Sequence, residues 1–190
     1  MSLRNAVLAA LLDGAASGYD LAKAFDASVA NFWTCTPQQL YRELDRMAAG
    51  GLVEARTVEQ ERRPTKRLFS LTDAGLRALA AFTAEPHRPT AIRDELLVAV
   101  MAAEAGDVEA VKAAIGERRR WAEAKITRYE RLRTRLLDGR TEEEFLDQAE
   151  RVGPYLTLLR GLSFERDNAR WCARSLAVLE RRGARIDAAG

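Results

Sequence analysis

The chain is poor in the residues on which catalysis and metal binding usually depend. Its 190 residues include one histidine, His87, and two cysteines, Cys35 and Cys172, which are far apart and not in metal-ligand spacing. The sequence has no glycine-rich phosphate loop, and no nucleophile motif surrounds His87. We therefore predict a protein that is not an enzyme and that needs no metal or other cofactor.

Long apolar runs and a large net charge are also missing. No stretch approaches the roughly 20 apolar residues of a membrane helix, and the apolar run from Ala6 ends at Asp13 without an Ala-x-Ala-like cleavage site. We therefore predict a cytoplasmic protein with no membrane partner and no structural disulfide. The net charge is +2, and residues 1–85 carry ten Lys/Arg against ten Asp/Glu, so any attraction to nucleic acid must come from local placement of charge.

What is present begins with a helix whose two ends are both marked in the sequence. Thr36 is a suitable N-cap, Pro37 fits the first helical position, and Gln39 completes a capping box with Thr36. Gly50 and Gly51 supply a residue that tolerates the left-handed conformation at a helix C-terminus. The sequence thus predicts one helix between Thr36 and Gly51.

This helix has two different faces. The spacing of its apolar residues gathers Leu40, Leu44 and Met47 on one side. The opposite side is polar and consists of Gln38, Gln39, Tyr41, Arg42, Asp45 and Arg46. Amide, guanidinium and phenol groups near a helix N-terminus suit the edges of bases and phosphates in the major groove, although a plain solvated face remains the alternative. Because Asp45 would repel phosphate, we expect contacts only from Thr36 to Arg42.

The elements around this helix follow one another in a recognisable order. The predicted elements are helices at 3–12 and 17–29, strands at 52–58 and 67–71, and a helix capped by Thr72 with Leu76, Leu79, Ala80 and Phe82 as its apolar positions. The polar segment 59–66 between the strands is too long for a tight turn, and it suits the loop of a protruding ribbon. This order predicts a winged helix-turn-helix domain over residues 1–85.

The predicted ribbon tip concentrates positive charge. Its four cations are Arg62, Arg63, Lys66 and Arg67. An isolated run of this kind is usually only a solvated loop. In a winged helix, however, the ribbon flanks the DNA that the preceding helix contacts, so we interpret these residues as phosphate contacts.

The remainder of the chain, 86–190, is predicted to be entirely helical. Predicted helices cover 93–105 and 107–137. A second capping box, of Thr141 and Glu144, begins a helical region that extends to 182 and that Gly153-Pro154 must kink or divide. One apolar stripe runs along the helix predicted at 107–137, at Val108, Val111, Ile115, Ala122, Ile126, Tyr129, Leu132 and Leu136. A second stripe runs along the region that extends to 182, at Leu156, Leu159, Leu162, Ala169, Ala173 and Leu176. A small winged helix cannot cover both stripes, so we predict a homodimer, with a monomeric helical appendage as the alternative.

Several motifs in this sequence resemble those of the PadR family of transcriptional regulators, in its longer form with a C-terminal helical domain. They are Ser17-Gly18-Tyr19-Asp20-Leu21, Trp33 with Gln39 to Leu44, Gly51-Leu52-Val53, and Phe69 to Gly75. Two positions depart from the family pattern: Phe69 stands where Tyr is common, and Arg42 where Pro is frequent. The resemblance implies a mainly helical fold with a small β-wing, and a dimeric repressor or activator whose DNA affinity can respond to a small molecule.

On this basis we predict a repressor that binds a palindromic operator in double-stranded DNA and is released by a small-molecule effector. Gln38, Gln39 and Arg42 are predicted to read base edges. The predicted contacts with the DNA backbone are Lys23, Tyr41 and the four ribbon cations, and Thr36 is a further predicted DNA-binding residue. The candidate effector pocket comprises Phe32, Trp33, His87, Trp121, Tyr155 and Trp171, although a core or interface position is the simpler interpretation for most of them.

Two alternatives stay open at this stage. A winged helix that binds another protein instead of DNA is compatible with the zero net charge of residues 1–85. Cys35, just before the central helix, could act as a redox switch because a helix N-terminus lowers a thiol pKa, although a buried structural cysteine is the simpler interpretation.

Overall fold

The computed structural model of the chain describes residues 3–25, 35–60, 63–87 and 93–187. The chain divides into two compact units, Met1–Arg88 and Pro89–Gly190. The fold is mostly helical with one small antiparallel sheet, which confirms the predicted fold class. No helix in the described part is both long enough and apolar enough to cross a membrane.

The N-terminal unit has the element order of a winged helix-turn-helix. It comprises α1 (Leu3–Ala10) with a 3-10 turn (Leu11–Asp13), β1 (Ala16–Ser17), α2 (Gly18–Ala24), α3 (Pro37–Ala49), β2 (Val53–Gln60), β3 (Arg63–Leu71) and α4 (Asp73–Thr83). The N-cap of α2 is Ser17, whose hydroxyl accepts the backbone N–H of Asp20. This helix is described as far as Phe25, and residues 26–29 of its predicted range lie outside the described residues.

The three strands pair in the order β1-β3-β2, all antiparallel. The prediction of a long ribbon loop was wrong, because β2 extends to Gln60, β3 begins at Arg63, and these two residues pair with each other. Only two residues separate the strands. Backbone hydrogen bonds extend the ribbon through polar sequence because ladder pairing does not require apolar side chains.

The core of this unit is formed by one side of each element. Its buried side chains are Val7, Leu8, Leu11, Leu21, Phe25, Leu40, Leu44, Met47, Val53, Phe69 and Leu79. The predicted face of α4 was partly wrong: Leu79 is buried and Phe82 packs against the core, but Leu76 is 45% exposed. The buried side of α4 instead includes Gly75, whose missing side chain lets the Leu52 carbonyl approach the helix.

The C-terminal unit consists of α5 (Glu95–Met101) with a 3-10 turn (Ala103–Ala105), α6 (Val108–Leu137), α7 (Glu142–Gln148) and α8 (Gly153–Asp187). The first predicted helix is therefore shorter, because its cap is Asp94 and it ends at Met101. Asp94 also accepts two hydrogen bonds from Arg118, at 2.8 and 3.1 Å, which tie the start of α5 to α6. The predicted break at Gly153-Pro154 is confirmed, since α8 begins there.

Helices α6 and α8 form an antiparallel pair. Lys125 donates to Glu165 at 2.8 Å, while Arg133, further along α6, donates to Tyr155, which lies earlier on α8. The predicted stripe on α6 is buried or partly buried along its whole length. The stripe predicted on α8 was partly wrong, because Leu156 is 51% exposed. The buried side chains of α8 are Tyr155, Leu158, Leu162, Glu165 and Cys172.

Candidate nucleic-acid interface

The predicted capping box fixes the start of α3. The hydroxyl of Thr36 accepts the backbone N–H of Gln39 at 3.2 Å, and the side-chain oxygen of Gln39 accepts the backbone N–H of Thr36 at 2.9 Å. Pro37 occupies the first turn. The two bonds satisfy donors that would otherwise lack helical partners, and they hold the chain direction at the N-terminus of α3.

The two faces of α3 differ as the sequence predicted. Leu40, Leu44 and Met47 are at most 1% exposed and belong to the core of the unit. The opposite face is solvent-exposed and carries Gln38, Gln39, Tyr41, Arg42 and Asp45. A row of hydrogen-bonding side chains is therefore held outward by a helix whose other side is fixed in the core.

The ring of Tyr41 rests on the first residue of α2. A Cβ atom on Gly18 would lie only 2.2 Å from Cε1 of Tyr41, so only glycine leaves room for the ring in this position. Tyr41 remains 46% exposed. The contact fixes the ring of Tyr41 between two helices of the motif while leaving part of it accessible to a ligand.

Sequence reasoning missed a second exposed aromatic residue on the same helix pair. Tyr19 is 66% exposed, and the amino group of Lys23 lies 5.9 Å from the centre of its ring. Its position in the Ser17-Gly18-Tyr19 motif was the available signal. Tyr19 and Lys23 together present an aromatic surface and a cation on α2.

Two of the four predicted ribbon cations form ion pairs inside the N-terminal unit. Lys66 Nζ lies 2.7 Å from Oδ2 of Asp20 on α2, and Arg67 Nη1 lies 2.6 Å from Oδ1 of Asp45 on α3. The hydrogen bond from Lys66, followed by that from Ser17, lowers the pKa of Asp20 below its usual value. Arg62 lies outside the described residues, as does the side chain of Arg63, whose backbone begins β3.

The structure places the candidate effector residues as follows. His87 packs against Phe82 in the N-terminal unit, with ring centres 4.7 Å apart. On the helical unit, Trp121 is 59% exposed and Trp171 is partly buried. Phe32 and Trp33 lie outside the described residues.

Tyr155 has a structural position in the helical unit. It is fully buried, its ring lies 4.9 Å from that of Phe145, and its hydroxyl accepts a hydrogen bond from Arg133 Nε at 3.0 Å. Burial raises the pKa of its hydroxyl. These contacts are those of a core tyrosine with a satisfied hydroxyl.

The two cysteines differ in environment. Cys172 is fully buried on α8, and burial raises the pKa of its thiol. Cys35 is partly buried and packs against the core of the N-terminal unit just before α3. A raised pKa disfavours the reactive thiolate at Cys172.

Comparison with protein-family models finds two matches along the chain. Residues 7–81 match the transcriptional regulator PadR-like family. Residues 92–180 match the family described as the virulence activator alpha C-terminal domain. The two matches lie one after the other, in the N-terminal and the C-terminal unit respectively.

Two curated relatives are described as transcriptional regulators, one of them as a probable regulator. The chain is 46% identical over 90 residues to the probable transcriptional regulator Rv1176c of Mycobacterium tuberculosis, a match that covers 47% of this chain and 48% of that protein. The chain therefore spans about half the length of this relative. It is 24% identical over 181 residues to the negative transcriptional regulator PadR of Bacillus subtilis, covering 94% of this chain and 98% of that protein.

Solved structures share the fold over nearly the whole chain. The Bacillus subtilis PadR structure in complex with operator DNA has a TM-score of 0.74 and 23% identity, and covers 93% of this chain and 98% of that one. The Vibrio cholerae virulence activator AphA has a TM-score of 0.68 and 28% identity, over 95% of this chain and 99% of that one. The Bacillus subtilis protein has also been solved in complex with p-coumaric acid, with a TM-score of 0.69, 22% identity, and coverage of 94% of this chain and 95% of that one.

Proposed function

Since the chain belongs to the PadR-like family of transcriptional regulators, we propose that it is a homodimeric repressor that binds a palindromic operator and is released by a small molecule. The observation that carries this proposal is the exposed polar face of α3, which the buried opposite face and the capping box hold in one orientation. Such a helix can enter a major groove and present its first turns to base edges. We place its action in the cytoplasm, where it would reach operator DNA.

Base reading is assigned chiefly to Gln38 and Arg42. Both are exposed on the first turn and a half of α3. An arginine can bind guanine through two hydrogen bonds, and a glutamine can bind adenine in the same way. Gln39 was predicted for this role too, but its side-chain oxygen already accepts the Thr36 N–H, so only its amino group is available while the cap is intact.

The proposed backbone contacts surround this pair. They are Thr36, Tyr41, Lys23, Arg62 and Arg63, to which we add Tyr19 because it is exposed beside Lys23. A phenol hydroxyl or an amino group can donate to phosphate oxygens without reading sequence. Lys66 and Arg67, predicted for the same role, are ion-paired within the unit.

The homodimer is supported by the apolar surface of α5. None of the residues of this helix is buried in the single chain, and Leu97, Val98 and Met101 are 45%, 62% and 81% exposed. Contiguous apolar surface of this kind marks a place where another chain packs. A two-fold dimer would present two copies of α3, which requires half-sites about one helical turn, or a small multiple of it, apart.

Release by a small molecule is supported by a relative. The Bacillus subtilis PadR structure with p-coumaric acid is one of the solved structures that share this fold. A titration of operator binding against small phenolic acids and other effector classes would test this part of the proposal. No change of affinity with any class would contradict effector release and would leave constitutive repression.

The second candidate function is a winged helix that binds another protein. The equal numbers of acidic and basic residues in 1–85 favour it. The two functions differ in their response to salt, since each phosphate contact would add about −0.9 to the slope of log affinity against log salt concentration. A protein-binding module would bind duplex DNA weakly and without sequence preference.

The decisive experiment selects binding sites from random duplex DNA and then compares two arginine variants of α3. Arg42→Ala should cost about 1–3 kcal/mol of specific affinity and relax preference at one position, because it removes a base contact. Arg46→Ala is the matched control for the loss of one positive charge, since Arg46 lies on the same helix, is 77% exposed and pairs with Glu43, and it should leave the base preference unchanged at every position. Equal affinity of Arg42→Ala and wild type for the selected site would contradict the assignment of Arg42.

A further inference from the structure

Two adjacent cations of β3 contact carboxylates on two different helices of the N-terminal unit. Lys66 pairs with Asp20 on α2 at 2.7 Å, and Arg67 pairs with Asp45 on α3 at 2.6 Å. The positions in each pair are distant in sequence, 22 residues in the case of Asp45 and Arg67. These bonds therefore join the ribbon to both helices of the helix-turn-helix.

We propose that Lys66 and Arg67 are positioning residues, which hold the ribbon against α2 and α3 and mask the Asp45 carboxylate on the face that reads DNA. The effect of these residues on DNA affinity rests on the proposed DNA-binding function, whereas the ion pairs themselves form in the protein without DNA. It assigns to these two residues a role different from direct contact with phosphate.

The direction of Arg67 follows from the position of its neighbour Phe69. Successive side chains of a strand alternate between faces, so Arg67 and Phe69 lie on the same face of β3. Phe69 is 2% exposed, and the guanidinium of Arg67 lies 4.9 Å from the centre of its ring. Because the ring is held in the core, the stem of Arg67 is oriented by packing as well as by its ion pair.

Lys66 is held at the other helix by a small network. Asp20 accepts hydrogen bonds from Lys66 and from the hydroxyl of Ser17, at 2.7 Å in each case. Ser17 is also the N-cap of α2 and a residue of β1, which pairs with β3. The ribbon and the start of α2 are therefore joined by a backbone ladder and by a side-chain bond.

Masking of Asp45 changes which part of α3 can lie near DNA. Asp45 is exposed on the same side as Arg42, and alone it would repel the phosphate backbone. With Arg67 on it, the pair is neutral, so the third turn of α3 can approach phosphate without that penalty. The usable face is thus longer than the segment from Thr36 to Arg42 that the sequence indicated.

The first test uses the full chain without DNA. Thermal unfolding is measured for Asp45→Ala, Arg67→Ala and the double variant, and the same cycle is made for Asp20 and Lys66. We expect the unfolding temperature of each double variant to fall by about 2–5 °C less than the sum of the falls for its two single variants, because the paired residues interact in the folded state. Additive shifts in both cycles would overturn the positioning role.

The second test measures affinity for a duplex selected from a random pool, at several salt concentrations. Arg67→Ala should bind about three- to fivefold more weakly because Asp45 is then unmasked. The double variant Asp45→Ala/Arg67→Ala should recover the wild-type affinity and should keep the wild-type salt slope. If Arg67 instead contacts phosphate, the double variant binds more weakly than wild type and its salt slope becomes shallower by about 0.9.

A control variant and the protein-only cycle separate the possible failures. Arg56→Ala removes an exposed arginine from the neighbouring strand β2, and its effect on DNA affinity should be the same with and without Asp45→Ala. If wild-type protein binds DNA without sequence preference or salt dependence, the proposed function fails, and the unfolding cycles still decide whether the ion pairs hold the ribbon. If DNA binds specifically but both cycles are additive, only the positioning proposal fails.

Discussion

Replacing Gly75 by alanine should destabilise the N-terminal unit, although the same change elsewhere in a helix is usually favourable. Gly75 lies in the first turn of α4, and a Cβ atom there would lie 2.2 Å from the carbonyl oxygen of Leu52 and 3.4 Å from a methyl group of Leu71. The oxygen of Leu52 belongs to the backbone, so it cannot rotate away. The backbone before β2 or the start of α4 must therefore move.

The magnitude follows from opposing effects. Alanine should gain up to about 1 kcal/mol over glycine in helical backbone. Forcing a methyl group into a filled space costs about 1–3 kcal/mol. Movement of Leu52 also weakens its two hydrogen bonds from Thr72, at 3.0 and 3.2 Å, each contributing about 1 kcal/mol. We expect a net loss of about 2 kcal/mol, or roughly 10 °C in the unfolding temperature of a unit of this size.

The assay combines calorimetry with amide hydrogen exchange read by mass spectrometry. Exchange distinguishes the two units, because peptides from residues 1–88 and 89–190 are measured separately. Gly75→Ala should lower protection in β2, β3 and α4, and it should leave α6 and α8 unchanged. Binding of selected DNA should weaken in proportion to the loss of folded N-terminal unit.

The matched control is Gly116→Ala in α6. The nearest atom to a Cβ at Gly116 is the Arg120 Nη1 atom at 3.8 Å, an ordinary contact, so this variant should be stabilised by about 0.5–1 kcal/mol. If Gly75→Ala is as stable as wild type or is stabilised like the control, the close approach of Leu52 is not a constraint on the fold, and the reasoning is refuted.

Two further predictions concern the reading helix and the helical unit. Gly18→Ala should displace the Tyr41 ring and lower DNA affinity. The unfolding temperature should stay within about 3 °C of that of wild type, because an exposed ring can rotate away. Unchanged DNA affinity would show that the position of the Tyr41 ring is unimportant for binding. Asp94→Asn should cost about 1 kcal/mol at pH 7, because asparagine can still cap α5 but cannot ion-pair with Arg118. Hydrogen bonding from Arg118 lowers the pKa of Asp94, so its stabilising effect is present at neutral pH and is lost as the pH falls through that lowered pKa. Urea titrations between pH 7 and pH 3 should therefore show the stability difference between wild type and Asp94→Asn shrinking in acid, and a constant difference would contradict the ion pair.

The features that the sequence predicted correctly depend on residues close together in the chain. The capping boxes at Thr36 and Thr141 need only a residue three positions later, so they can be recognised directly. The buried stripe of α6 follows from helical periodicity, and the break before α8 follows from Gly153-Pro154. The same local information gave the exposed polar face of α3.

The errors arose where packing or backbone pairing overrides local pattern. Tyr155 is buried on α8 while Leu156 is exposed, because the face that meets α6 is set by the angle between two helices and not by hydrophobicity alone. The ribbon loop was predicted too long because strand pairing of Gln60 with Arg63 uses backbone groups that are the same in every residue.

The sequence by itself determined most of the helices, the two capping boxes and the polar side of α3, since each depends on spacing within a few turns. Only the tertiary structure decided that Tyr41 rests on Gly18, that Leu52 approaches Gly75, and that Arg67 neutralises Asp45. These contacts join residues about 20 or more positions apart. The physical reason is that a short contact between distant segments exists only after the core has fixed both backbones, and no local spacing encodes where they will meet.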